Sequence, residues 1–353
     1  MWTTPLYGDN ANANAVPVAP IGSVEFKGWT NAFRLANESM EVVLVPEIGR
    51  IAHLAWREQP NLLRLDESLL GQTGDIVESD DWINFGGDWI WPVAQERWHL
   101  FQEGNWPPSR LLDGRSWTGR AWRTADDTLH GLITEDFGAP LHVRVHRTVR
   151  MERERPELVI RQRMERLEES DIPVTIWQLS QLNNVDFVFV PVGPDSNFSA
   201  GLTPLLFDMP PEDRLFHCGD IVLYRAGLGG EHKIGSDSPR KWIAALIGNT
   251  LILQKSEPGE GEGVHPDGGC SVEMFSNTEL GYTEIEGLSI EKHLDAGEYF
   301  DNTLRISLHR LESIPDDLCE LVNTVRKIIG EPLAQPMGKA EPSEAAEADE
   351  DET

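Results

Sequence analysis

Strict alternation of apolar and polar residues most constrains what this chain can fold into. The segment LHVRVHRTVRM, residues 141–151, alternates apolar with mostly basic side chains at a period of two. That period is typical of a β-strand with one face buried and the other in contact with solvent. Short apolar runs broken by Gly, Pro, Asn and Asp recur between residues 28 and 310. Many short strands and frequent turns predict a large all-β sandwich.

The same criteria predict three strands within residues 28–56 and a series of later ones. The segment 158–167 would also suit a helix, because its Glu and Arg content fits both structures. The later predicted strands are 128–134, 141–151, 158–167, 172–182, 186–194, 215–224, 241–255, 270–277, 282–289 and 299–310.

One late helix is predicted over residues 315–329. Asp316 and Asp317 favour its N-terminus, Arg326 and Lys327 favour its C-terminus, and Gly330 ends it. We therefore predict a flexible leader (1–20), one β-sandwich domain (21–312), the helix (313–330) and a disordered acidic tail (331–353).

Charge and cysteine content narrow the classes of function. The formal net charge of −29 argues against nucleic acid and anionic membrane surfaces as partners, and it suits a neutral ligand. The three cysteines show no C-x-x-C spacing, which predicts reduced thiols and a reducing compartment. Neither a signal peptide nor an apolar run long enough to span a bilayer is evident, so a cytoplasmic location is expected.

A tryptophan-rich stretch, residues 82–122, holds seven of the twelve tryptophans together with amides, carboxylates and arginines. Indole rings pack against the C–H faces of sugars, and planar polar groups bond their hydroxyls, so this composition indicates a carbohydrate-binding surface. Tryptophans in a buried core are the alternative interpretation.

Three segments resemble the galactose mutarotase-like (aldose 1-epimerase) superfamily, over about residues 28–310. They are P-E-I-G-R-I at 46–51, L-D-G at 112–114, and a Glu-bearing strand followed by L-D-A-G-E at 294–298. N-F-G-G-D-x-x-W-P-x-x-Q at 84–95, N-W-P-P at 105–108 and Y-T-E-I-E-G-L-S at 282–289 are similar to its branch called domain of unknown function DUF4380. The resemblance implies a β-supersandwich with a carbohydrate-binding cleft on one concave sheet.

The resemblance also implies a catalytic base and an acid. Mutarotases use a late Glu to take the proton from the anomeric hydroxyl, and this role carries over to Glu284 or Glu286, which a period of two places on one strand face. Their acid is a histidine in a mid-chain strand, but the matching segment, residues 175–182, contains none. His53, His99 or His217 could substitute.

The candidate substrate-binding residues come from the tryptophan-rich stretch and the mid-chain strand. They are Asn84, Asp88, Trp89, Trp91, Gln95, Arg97, Trp106, Trp177, Gln178 and Gln181.

No H-x-H, H-E-x-x-H or calcium-loop pattern occurs, so no metal or cofactor is expected. Two functions remain open: an epimerase or mutarotase using Glu284 or Glu286, and a non-catalytic carbohydrate-binding protein. An accessory domain of a polysaccharide lyase or hydrolase is a weaker third.

Overall fold

Two large antiparallel β-sheets make up most of the computed structural model, which describes residues 17–74, 82–257 and 261–333. The first strands in chain order are β1 (Pro17–Ile21), β2 (Val24–Phe26), β3 (Trp29–Ala36), β4 (Met40–Val45), β5 (Arg50–Trp56), β6 (Asp88–Trp91), β7 (Thr118–Thr124), β8 (Leu129–Phe137), β9 (Val143–Met151), β10 (Glu157–Arg166) and β11 (Trp177–Asn183). The later elements are β12 (Phe187–Pro191), β13 (Thr203–Pro204), β14 (Leu215–Cys218), β15 (Ile221–Arg225), β16 (Glu231–Ser236), β17 (Trp242–Ile247), β18 (Thr250–Ser256), β19 (Val272–Asn277), β20 (Tyr282–Leu288), β21 (Tyr299–Arg310) and the helix α1 (Leu318–Ile329).

The larger sheet has eleven strands in the order β1-β7-β8-β9-β10-β21-β18-β17-β12-β15-β14. The smaller sheet has ten, in the order β13-β16-β19-β20-β11-β6-β5-β4-β3-β2. The predicted all-β sandwich is confirmed, and residues 158–167 form a strand rather than a helix. Residues 67–69 form one short 3₁₀ turn.

The two sheets pack face to face around a continuous apolar core. Alternate residues of β9, such as Val143, Val145 and Val149, point into this core, as the period-two pattern predicts. Arg147 occupies the same side of β9 and is fully buried. The alternation of β9 therefore places a guanidinium in the middle of the sandwich, where only a buried partner can compensate its charge.

The helix α1 covers the outer side of the larger sheet near β12, β15 and β17. Asp317 caps its N-terminus by accepting from the backbone N–H groups of Cys319 and Glu320, and Gly330 ends it in the left-handed conformation. A disulfide between Cys218 of β14 and Cys319 attaches the helix to the sheet edge. The expectation that all three cysteines are reduced thiols is wrong for this pair, and the cysteines no longer argue for a reducing compartment.

The N-terminal boundary differs from the sequence prediction. Strand β1 begins at Pro17, within the segment expected to be a flexible leader, and it pairs with β7. Residues 1–16, the end of the predicted acidic tail and part of the loop at 257–269 lie outside the described residues. Among the helices of the described ranges, none has the length and apolar character needed to cross a bilayer.

Candidate functional site

Glu284 and Glu286 lie on the face of the smaller sheet that points away from the larger one. Strand β20 places Ile285 in the core between the sheets, so alternation directs both carboxylates to the opposite face. We call this the outer face. The side chains are deeply covered there, since Glu284 is 6 % exposed and Glu286 is 0 % exposed.

Three groups from neighbouring strands surround Glu286. Trp177 of β11 donates its indole N–H to Glu286 Oε2 at 2.7 Å, and the Lys233 ammonium of β16 lies 3.3 Å from the same oxygen. Lys233 Nζ also lies 3.0 Å from Oε2 of Glu273 on β19. One buried cation therefore sits between two buried carboxylates.

The charges of this group do not balance. Burial opposes the charge of Lys233, but the carboxylates of Glu273 and Glu286 outweigh it and raise the pKa of Lys233. Burial raises the pKa of Glu273 well above its usual value, although Lys233 acts in the opposite direction. We conclude that Lys233 stays charged and that Glu273 holds a proton in the folded protein.

Glu284 has a different environment from Glu286. Gln181 of β11 donates its amide N–H to Glu284 Oε1 at 2.7 Å. Burial, followed by the negative charge of Glu286, raises the pKa of Glu284 to about 8. At neutral pH Glu284 is therefore largely protonated and is able to donate a proton.

Arg64 connects Glu284's neighbours to the rim of the outer face. Its guanidinium donates to the Gln181 side-chain oxygen at 3.3 Å and to the Asn84 carbonyl at 3.0 Å, and it lies 5.2 Å from the Tyr282 ring centroid. Asn84 also donates to the Tyr282 hydroxyl at 3.5 Å. Asn84 and Gln181, both predicted to bind substrate, thus stand close to Glu284.

The predicted tryptophans form one connected cluster on the outer face. Trp91 contacts Trp177 at 4.9 Å between ring centroids and Trp89 at 5.7 Å, while Trp82 contacts Trp91 at 5.8 Å and Trp106 at 5.2 Å. Since Trp177 also bonds Glu286, the indoles and the carboxylates meet on one face of one sheet. Trp89, Trp91 and Trp177 are fully buried, whereas Trp106 is 54 % exposed.

Asp88 and Gln178 were predicted to bind substrate, but they face the other way. Asp88 accepts from Arg147 at 2.5 Å and from the Gln178 amide and the Ser180 hydroxyl, inside the sandwich. Both predicted residues are 1 % exposed. The prediction fails because alternation along β6 and β11 sends them to the side opposite Trp89, Trp177 and Gln181.

Gln95 and Arg97 lie in a 3₁₀ turn at the margin of the outer face. Gln95 donates to the Asn105 carbonyl at 2.9 Å, and Arg97 makes a two-point contact with Glu291 at 3.1 and 3.0 Å. Each side chain holds a loop in place, and neither contacts Glu284 or Glu286 in the described part of the chain.

The three histidines proposed as substitutes for the acid lie elsewhere. His53 is beside Glu41 on β5, His99 contacts the Glu96 carbonyl at 2.8 Å, and His217 is on β14 of the larger sheet. Burial lowers the pKa of His53. The raised pKa of Glu284 makes it the better acid candidate.

Sequence reasoning missed Lys233 and Arg64. Lys233 follows His232 in a strand with an ordinary composition, and Arg64 lies in an irregular segment, so neither carries a local signal. Among residues 17–74, 82–257 and 261–333, no three His, Cys, Asp or Glu side chains form a group that could hold a metal ion.

Comparison with solved structures places the chain in a class. A galactose mutarotase-like protein from Clostridium acetobutylicum is 11 % identical, with a TM-score of 0.52 over 82 % of this chain and 98 % of that one. A galactose mutarotase-like protein from Lactobacillus casei is 10 % identical, with a TM-score of 0.51 over 79 % and 100 %. The Slr1438 protein from Synechocystis is 12 % identical, with a TM-score of 0.53 over 82 % and 99 %. At these identities the likeness shows the fold, which is that of the galactose mutarotase-like proteins.

A family model matches part of the sequence. Residues 30–201 match the domain of unknown function DUF4380, the branch whose motifs the sequence resembles. No curated protein matches the chain.

Proposed function

We propose that this protein binds a sugar on the outer face of the smaller sheet and interconverts its anomers. The observation that carries the proposal is the pair of carboxylates, Glu284 and Glu286, on one strand face in opposite electrostatic environments. Two carboxyl groups held on one strand face by different neighbours are suited to serve as acid and base. The fold shared with galactose mutarotase-like proteins supports the same chemistry.

The roles follow from the neighbours of each carboxylate. Glu286 lies beside the Lys233 ammonium and accepts the Trp177 indole N–H, so we assign it the role of the base. Glu284 carries a proton at neutral pH and serves as the acid. Their Cα atoms are two residues apart on the strand, about 6.6 Å, so a single pyranose can contact both.

The reaction needs no other reagent. Glu286 takes the proton of the anomeric hydroxyl, the bond between the anomeric carbon and the ring oxygen breaks, and Glu284 gives its proton to the ring oxygen. The open-chain aldehyde then turns about the adjacent C–C bond. Reclosure on the other carbonyl face returns one proton to Glu284 and one from Glu286 to the new hydroxyl, which restores the enzyme.

A second function, sugar binding without turnover, is favoured by the burial of both carboxylates. A substrate must displace part of the cover around Glu284 before either group can reach it. Absence of a histidine in the segment 175–182 points the same way.

Anomer exchange in a panel of aldoses, measured by NMR saturation transfer, tests the proposal. We expect exchange above the buffer rate, lowered about 100-fold or more by Glu286→Gln and by Glu284→Gln. Glu279→Gln is the matched control, because it makes the same substitution in an exposed turn next to β20.

Saturable binding of a sugar without anomer exchange above the buffer rate would contradict the catalytic function and support sugar binding without turnover. Exchange that survives both glutamine substitutions would remove these two residues from the mechanism.

A further inference from the structure

A cavity beside the tryptophan cluster is open, unlike the covered glutamates. It measures about 350 Å³, within the range of small-molecule sites. Its lining includes Trp82, Gln102, Glu103, Pro107, Ser109 and Asp113. We propose that this cavity binds a second, neutral sugar ring, so that the ligand of the outer face is an oligosaccharide. The inference rests on the sugar binding proposed above.

Asp113 holds one wall of the cavity rigid. Its carboxylate accepts from the indole N–H groups of Trp82 at 2.8 Å and Trp91 at 3.3 Å, and it pairs with the Arg50 guanidinium. Both indoles are therefore fixed before a ligand arrives. A pre-ordered aromatic wall lowers the entropy lost on binding.

The opposite wall is also ordered and offers polar groups. Gln102 donates to the Pro107 carbonyl at 2.8 Å and accepts from the Ser109 backbone N–H at 2.9 Å, which fixes the loop between them. The Ser109 hydroxyl is buried and has no hydrogen-bond partner among the described residues, whereas Glu103 is exposed. A sugar hydroxyl can bond to the Glu103 carboxylate.

Trp106 extends the aromatic surface next to the cavity. Its ring is 54 % exposed, meets Trp82 edge-on at 5.2 Å and lies parallel to Trp98 at 6.4 Å. An indole with one face in water contributes little to the core and presents an apolar platform to a sugar. This exposure distinguishes Trp106 from Trp89, Trp91 and Trp98, which are buried.

The charges of the cavity favour a neutral ring over an anionic one. Asp113 is paired with Arg50, and Glu103 and Arg110 bring one charge of each sign to the lining. A phosphate or carboxylate would need an excess of cationic groups, which these residues do not supply.

The cavity and the glutamates belong to one face. Trp82 contacts Trp91, Trp91 contacts Trp177, and Trp177 bonds Glu286. Two ring contacts therefore separate the cavity from the carboxylates. The cavity and the carboxylates are therefore joined by one aromatic cluster.

Titration of the full chain with glucose, galactose, maltose, cellobiose and lactose tests the inference, with affinity measured by calorimetry. We expect at least one disaccharide to bind tenfold or more tightly than its component monosaccharides. Trp106→Ala should weaken disaccharide binding about tenfold and weaken monosaccharide binding much less. Tyr299→Ala is the matched control, because Tyr299 is an equally exposed aromatic residue, 54 %, on the larger sheet.

Different results would overturn the anomer-exchange proposal and the proposal of a second sugar ring in the cavity. If Trp106→Ala binds disaccharides as the unsubstituted chain does, the inference is overturned, even when Glu284→Gln abolishes exchange. If Trp106→Ala weakens disaccharide binding but the unsubstituted chain shows no anomer exchange, binding of a second sugar ring in the cavity is supported and the catalytic proposal is wrong. Disaccharides that bind no tighter than monosaccharides, or not at all, also overturn the inference.

Discussion

Two groups of buried charges lie on opposite faces of β11 and β20, and they are built differently. On the inner side, Asp88 meets Arg147, so one anion is matched by one cation and the carboxylate has further donors. On the outer side, Lys233 faces Glu273 and Glu286, with Glu284 close by. The charges of the inner group are therefore matched one to one.

The outer group, in contrast, must hold extra protons to remain buried. A buried carboxylate without a matching cation keeps its proton to a higher pH. The difference teaches that burial alone does not distinguish a structural charged group from a reactive one. The balance of charges distinguishes them, because only a group with unbalanced charges can exchange protons near neutral pH.

Arg147→Met should have the largest effect, since it leaves the Asp88 carboxylate buried without its cation. We expect a loss of about 3–5 kcal/mol in the free energy of unfolding, measured by urea denaturation. Arg150→Met is the control, because Arg150 lies on the exposed side of the same strand and pairs with Glu152. Its loss should be about 0–1 kcal/mol. Equal losses would show that the inner pair is not a structural requirement.

Lys233→Met tests the outer group and should lower the free energy of unfolding by less than Arg147→Met does. Removing the cation leaves the neighbouring carboxyl groups buried without their counter-charge, and a lower pH relieves part of this penalty. We expect a loss of roughly 2–4 kcal/mol at pH 8 and a smaller one at pH 5. Lys255→Met, on an exposed position of β18, is the control. A loss that does not change with pH would contradict the shared proton balance described here.

Glu284→Gln should show its effect as an altered pH dependence of stability. The folded pKa of Glu284, about 8, lies above the ordinary carboxyl value near 4.3. Between these values the folded chain keeps a proton that the unfolded chain has released, so stability falls as pH rises, by up to about 1.4 kcal/mol per unit.

The glutamine variant cannot ionise, and we expect this part of the slope to disappear in denaturation curves between pH 5 and 8. Glu279→Gln should keep the slope. An unchanged slope in Glu284→Gln would mean that Glu284 is already ionised at neutral pH.

Local patterns in the sequence predicted much of the fold. The alternation in β9 and β10, the caps of α1 and the common face of Glu284 and Glu286 are all properties of short segments, and the structure has them. The same alternation could have identified Arg147 as buried, because it shares the apolar side of β9 with Val145 and Val149.

The environment of the glutamates could not be predicted in this way. Lys233 reaches Glu286 across β19, and Arg64 reaches Gln181 from an irregular segment, so both contacts depend on which strands become neighbours. The pairing of Cys218 with Cys319 depends likewise on where α1 packs. Contacts of this kind are set by the tertiary arrangement and leave no periodic signal.

The disulfide has a consequence for the far end of the chain. It closes a covalent ring from Cys218 to Cys319, with a sequence separation of 101, that contains the seven strands β15 to β21 and the turn leading into α1. If a protease cuts the connection between β21 and α1, the severed helix remains bonded to β14. Only reduction together with cleavage would release it and uncover the apolar side of β12, β15 and β17.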